Sequence, residues 1–183
     1  MLIVGLGNPG SKYLHNRHTV GHMFVNWAAT NTPHSTWHTD SHKLFDYQKI
    51  TSEAGRKMIL AKTRTYMNDS GKSVLAMIRY FDVTDVKTLV VAHDDLDLAV
   101  GDWKLDFAKG PKQHNGINSI ESSNRTNLFW RLRIGVDNRT PDRRIPGETY
   151  VLQDFADEEH SSVVATFPLM WERILKNTYD TTV

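Results

Sequence analysis

The chain has 183 residues, is 39% hydrophobic and 23% charged, and so fits one globular domain, with residues 1–183 read as a single unit. No apolar run nears the ~18 residues that span a bilayer, the opening MLIVG lacks the cationic lead of a secretory signal, and the absence of cysteine excludes disulfides and thiolate sites, as expected in the cytoplasm. The net charge of +1 hides a sorting: residues 103–144 hold nine Lys or Arg against four acids, and residues from 145 onward two against seven, which suits a few phosphate contacts or a solvated face but not a wrapping nucleic-acid binder.

In chain order, residues 2–6 read as a short buried strand, followed by a Gly/Asn/Pro/Ser turn over 7–11. Val20, Met23, Phe24, Trp27 and Ala28 recur at helical spacing, with Asn16 a candidate cap and Pro33 the stop. Residues 44–51 and 58–61 read as a hairpin around Ala54-Gly55. Val74, Met77, Ile78 and Phe81 mark a second helix after Tyr66-Met67-Asn68. The β-branched run 88–92 is the clearest interior strand and is expected to deliver His93-Asp94-Asp95 at its end. Alternation in Trp103-Lys104-Leu105-Asp106-Phe107 and in Trp130-Arg131-Leu132-Arg133-Ile134 predicts two strands that turn their charges to one surface. A short helix follows Gln113-His114-Asn115-Gly116, residues 137–148 read as a surface loop, and residues 157–176 as helical with a break near Pro168. Strands alternating with helices imply an α/β fold, a single domain with a mixed twisted sheet flanked by helices.

Gly5-Leu6-Gly7-Asn8-Pro9-Gly10 satisfies G-x-G-x-x-G. A dinucleotide site also needs the third glycine to open a helix and an acid about 20 residues on. Here Gly10 leads into Ser-Lys-Tyr-Leu-His, and the first acid after it is Asp40. The loop is better read as a rigid turn that holds the Asn8 amide in a fixed pose, with no cofactor expected.

Polar sets stand at several element ends: Asn8, Arg17-His18, Met67-Asn68, His93-Asp94 and His114-Asn115. A histidine beside an aspartate is the strongest chemical combination among them. Imidazole accepts a proton near neutral pH, and a carboxylate fixes its tautomer and stabilises the imidazolium. Amides can hold a carbonyl or steady a developing oxyanion. A metal site from His93, Asp94 and Asp95 is disfavoured because adjacent strand residues face opposite ways. Ser11 and Ser70 stand in no G-x-S-x-G elbow.

V-G-L-G-N-P-G at 4–10, Tyr13 followed by R-H-x-x-G at 17–21, Y-M-N-x-S-G at 66–71, H-D-D-L-D at 93–97, H-N-G at 114–116 and R-L-R-I-G at 131–135 occur in order. Together they resemble bacterial-type peptidyl-tRNA hydrolases. The resemblance implies a cofactor-free and metal-free monomer that cleaves the ester between an N-blocked peptide and the 3′ end of tRNA. It makes His18 the general base and Asp94 its partner carboxylate. It assigns Asn8, Tyr13, Tyr66, Met67, Asn68, His114 and Asn115 to substrate binding, and Arg133 with Lys104 to a tRNA phosphate. Three departures stand out: Thr19 where the family has Asn, a stiffer basic loop over 109–113, and Asp106 where the family has a phosphate-binding lysine. A non-catalytic RNA-binding relative of the same fold is the alternative reading.

Overall fold

Leu2–Gly5 form β1, buried on both faces, because side chains alternate across a strand and both faces of this one meet apolar layers. Ile3 joins Val20, Phe24, Val25, Ala28, Phe167, Met170 and Ile174 in one core cluster. Leu2 and Val4 join Met67, Val74, Met77, Ile117, Ile120 and Phe129 in the other. The structure, a computed structural model, describes residues 1–32, 36–52, 55–140 and 145–177.

After β1 come α1 (Val20–Thr30), β2 (His38–Thr39), β3 (Phe45–Thr51), β4 (Lys57–Thr63), α2 (Ser70–Tyr80), β5 (Leu89–Ala99), β6 (Trp103–Phe107), α3 (Asn115–Asn124), β7 (Trp130–Asp137), α4 (Gly147–Val151), α5 (Asp157–Val164) and α6 (Phe167–Asn177). The strands form one seven-stranded sheet in the order β2-β3-β4-β1-β5-β7-β6. β1 lies parallel to β4 and β5, and β5 parallel to β7. The pairs β2/β3, β3/β4 and β6/β7 are antiparallel. The sheet is therefore mixed, as expected, with α1 and α6 packed in one core cluster and α2 and α3 in the other. Each fully buried Ile, Leu or Phe contributes about 1.5–3 kcal/mol to holding these layers together.

Several local expectations change. α1 ends at Thr30, where the Thr32 hydroxyl donates to the Ala28 carbonyl at 2.9 Å; Pro33 lies outside the described residues, as do Ala54 of the β3/β4 connection and residues 141–144 of the loop before α4. Asn16 precedes a 3-10 turn at Arg17–Thr19 but makes no side-chain cap; its amide is spent on Asp154 instead. The break between α5 and α6 falls before Phe167, and Pro168 sits in the first turn of α6, where its missing N–H costs nothing.

β5 runs seven residues beyond the predicted core of the strand, so His93, Asp94 and Asp95 lie within it rather than after it. The reason is asymmetric pairing. β1 stops with Gly5 opposite Ala92, while β7 continues alongside with Arg133 opposite His93 and Ile134 opposite Asp94. The three residues thus stand at the edge where β1 has turned away, although their own strand continues.

Candidate active site

Five segments meet at that edge. Gly10 has φ 104°, a conformation that suits glycine, and the loop leads into a 3-10 turn at Ser11–Tyr13 rather than an α-helix. A second 3-10 turn carries His18. A third, Met67–Asp69, follows β4. β5 supplies Asp94, and the start of α3 supplies His114 and Asn115. They surround a cavity of about 640 Å³ lined by Asn8, His18, Tyr66, Met67, Asn68, Asp94, Gln113, His114 and Asn115, with Gly147, Glu148, Val151 and Leu152 of the α4 segment as the far wall.

At its floor, Asp94 Oδ1 lies 2.8 Å from His18 Nδ1 and 2.9 Å from His114 Nε2. Burial alone would raise the Asp94 pKa, but the two imidazoles outweigh it and hold the carboxyl far below its usual range. A carboxylate only accepts hydrogen bonds, so both facing nitrogens carry protons. A second observation fixes the tautomer of His114 independently. Its Nδ1 accepts from the backbone N–H of Gly116 at 3.1 Å and of Ile117 at 3.2 Å, capping α3, so the proton must sit on Nε2. His18 is left with Nδ1–H bound to Asp94 and a lone pair on Nε2, on a side chain that lines the cavity. Burial works against the imidazolium of His18, but the charge and hydrogen bond of Asp94 prevail and raise its pKa. This is a base held in one tautomer beside a fixed countercharge.

His93 braces the strand from beneath. Its Nδ1–H donates to the Asp94 carbonyl at 2.7 Å, and its ring packs edge-on against His114 at 4.8 Å. Burial, reinforced by His114, keeps it neutral. His18, Asp94 and His114 also bring one ligand-type atom each within 4.8 Å of one another. The nitrogens concerned are hydrogen-bond donors to Asp94, so the donor set suits proton handling better than a cation. His93, Asp94 and Asp95 diverge into separate interactions, Asp95 binding Arg133 and the N–H of Asp97. Ser70 is buried and donates to the Met67 carbonyl at 2.8 Å.

Among the amides, Asn8 is fixed: its Oδ1 accepts from the Met67 N–H at 2.9 Å, which leaves the N–H₂ of this cavity-lining side chain as a donor without a partner among the described residues. Asn68 and Asn115 are exposed in the cavity wall, and Tyr66 is 58% exposed at its rim. Met67 is buried and closes the side shared by Asn8 and α3.

Tyr13, Lys104 and Arg133 are not among the cavity-lining residues. Tyr13 is half-buried, with the Lys12 ammonium 4.6 Å above its ring. Lys104 is exposed on β6, paired in register with Arg133. The charges of β6 and β7 do share one face, Lys104 lying opposite Arg133 and Asp106 opposite Arg131, but both arginines are buried on it, under α3 and the 108–113 loop. Arg131 is buried on Glu121 at 2.5 Å and on the Phe129 carbonyl. Arg133 Nε donates to Asp95 at 2.7 Å and its Nη1 to Asp106 at 2.9 Å. Two carboxylates thus pair with Arg133, through Nε and Nη1. Thr19, which stands where the family has Asn, is buried with its hydroxyl unpartnered among the described residues.

Arg17, in the sequence only the neighbour of His18, pairs with Glu159 in the fold. Arg17 Nη1 donates to the carbonyls of Gln153 and Asp154, and Nη2 to Glu159 at 2.5 Å. The guanidinium also lies 4.3 Å from the centre of the Tyr150 ring. The residue preceding His18 thus fastens the α4 wall of the cavity. The pairing spans 142 residues of chain, and no local pattern carries it.

Comparison with known proteins shows the family. The sequence matches the family model described as peptidyl-tRNA hydrolase over residues 2–181. It is 37% identical over 164 residues to a peptidyl-tRNA hydrolase of Mycobacterium ulcerans, covering 89% of this chain and 83% of the relative. It is 40% identical over 169 residues to peptidyl-tRNA hydrolase 1 of Corynebacterium jeikeium, covering 88% and 82%. The fold superimposes on the crystal structure of peptidyl-tRNA hydrolase from Acinetobacter baumannii with TM-score 0.81 and 31% identity, over 91% of this chain and 82% of that one. With its motifs in order, its fold shared and the match running through nearly the whole sequence, this chain belongs to the peptidyl-tRNA hydrolase family.

Proposed function

We propose that this protein hydrolyses the ester joining an N-blocked peptide to the 3′-terminal ribose of tRNA, with His18 as general base. The observation that carries the reading is the shared Oδ1 of Asp94, which fixes His18 as the Nδ1–H tautomer and leaves Nε2 unprotonated. His18 Nε2 takes a proton from water, whose oxygen adds to the ester carbonyl. The tetrahedral intermediate collapses as the ribose oxygen departs, and the imidazolium returns the proton to it. Asn68 and Asn115 present amide N–H groups to the developing oxyanion, while the N–H₂ of Asn8 binds the acyl or blocked-amine part of the peptide. Tyr66 offers an exposed ring at the cavity rim for a terminal base or ribose, and Met67 and His114 shape the pocket. The reaction balances with water alone and calls on no metal.

The tRNA contact falls to exposed lysines, Lys104 and Lys109, more than to Arg133, whose charge is already met. Tyr13 acts from outside the cavity. The protein works as one catalytic domain over residues 1–183, a monomer in the cytoplasm. The test is release of peptide from N-acetyl-aminoacyl-tRNA by wild type and by His18→Ala. The variant should stay folded and lose about 10² to 10⁴ in rate; retained turnover would assign the base elsewhere. Unblocked aminoacyl-tRNA should be cleaved more slowly than the blocked form.

A further inference from the structure

His22 takes no part in the chemistry described above, yet it meets the Asn8 loop at three places. It stands four residues after His18, in the first turn of α1. Its backbone N–H donates to the Leu6 carbonyl at 3.2 Å. Its Nε2 lies 3.2 Å from the Thr63 hydroxyl, at the end of β4, and that hydroxyl lies 3.4 Å from the Gly7 carbonyl. With a proton on Nε2 the directions are consistent: imidazole donates to Thr63, and Thr63 donates to Gly7. The ring also packs flat under the loop, since a Cβ on Gly7 would fall 2.7 Å from its Nδ1 and 2.8 Å from its Cγ.

The neighbouring contacts leave little slack. A Cβ on Gly21 would lie 2.2 Å from the Ala92 carbonyl oxygen and 2.6 Å from the Leu6 nitrogen, and that nitrogen donates to Ala92 at 2.9 Å. α1 is thus drawn against the end of β1 and against β5, two residues before Asp94. Burial, with the Lys62 charge nearby, pushes the His22 imidazole down to about 3, so it stays a neutral donor at working pH.

We propose that His22 is a positioning residue that, through Thr63 and Gly7, sets the Asn8 side chain relative to His18. The consequence for substrate rests on the reading of Asn8 as a substrate-binding amide. The geometry reaches Asn8 in one further step, because Gly7 is its chain neighbour and Asn8 Oδ1 holds the Met67 N–H.

The experiment compares wild type with Thr63→Val, His22→Phe and His22→Gln, the last keeping a donor near the Nε2 position. Thr63→Val removes the hydroxyl at nearly constant shape and guards against failure of the ring substitution to fold. KM for N-acetyl-aminoacyl-tRNA should rise about three- to tenfold in Thr63→Val and His22→Phe, as for one lost hydrogen bond, with kcat within about twofold and His22→Gln near wild type. Independently of activity, hydrogen exchange of the Met67 amide should accelerate by a similar factor. Unchanged Met67 protection in both Thr63→Val and His22→Phe overturns the proposal, as does a fall in kcat at constant KM. A wild-type protein without hydrolase activity whose Met67 protection still depends on His22 would refute the catalytic reading and leave the positioning role standing.

Discussion

Replacing Asp94 by Asn removes one charge and no volume, and tests the centre of the site. In the folded protein Oδ1 accepts from His18 at 2.8 Å and from His114 at 2.9 Å. An amide oxygen can keep both contacts, but as neutral hydrogen bonds worth about 0.5–1.5 kcal/mol instead of charge-assisted ones worth about 1.5–3. The larger loss comes when His18 becomes an imidazolium in the transition state and finds no countercharge. Together the terms amount to about 3–5 kcal/mol, and at 1.36 kcal/mol per decade kcat should fall by about 10² to 10⁴. KM should change little, because Asn8, Asn68 and Asn115 are untouched. The pH profile carries a second signature. Asp94 raises the His18 pKa, and activity requires the neutral form, so wild-type activity falls as pH drops through that raised value. In Asp94→Asn the acid limb should move to lower pH. Peptide release from N-acetyl-aminoacyl-tRNA between pH 5 and 9 measures both quantities; kcat within tenfold of wild type and an unmoved limb would refute the assignment.

Acid stability gives a separate check on the buried histidines. His22 is pushed from 6.5 to about 3 in the folded protein, so below the unfolded value the unfolded chain binds the extra proton, and stability falls with pH across that window. At pH 5 the penalty reaches at most about 2 kcal/mol, and His22→Phe should narrow the difference in Tm between pH 7 and pH 5 by up to about 4–8 °C. A gap as wide as that of wild type would mean the imidazole charges in the folded state. Asp106→Asn should free one edge of Arg133, leaving it on Asp95 alone, and tighten tRNA binding a few-fold. The same titration should give a log-log salt slope of about −2 to −3 for wild type and a steeper one for the variant. Identical affinities and slopes would place the tRNA away from β6.

The sequence by itself determined the family, the α/β class, most strand and helix positions and the identity of the polar groups at element ends. Those signals are local: β-branched runs, alternation, helical spacing and turn residues each act over a few neighbours. It also excluded a dinucleotide site, because the helix and acid that such a site needs would have been visible nearby. Only the tertiary structure decided which of those groups touch. That His18 and His114 share one oxygen of Asp94, with the α3 cap setting the tautomer, depends on contacts 76 and 20 residues apart. The burial of the β7 arginines has the same origin. Alternation fixes which side of a strand an arginine leaves from, but α3 and a distant loop determine whether that side meets water. For Arg133 the answer was two carboxylates, since a buried charge left unpaired costs far more than one matched by counterions of its own chain.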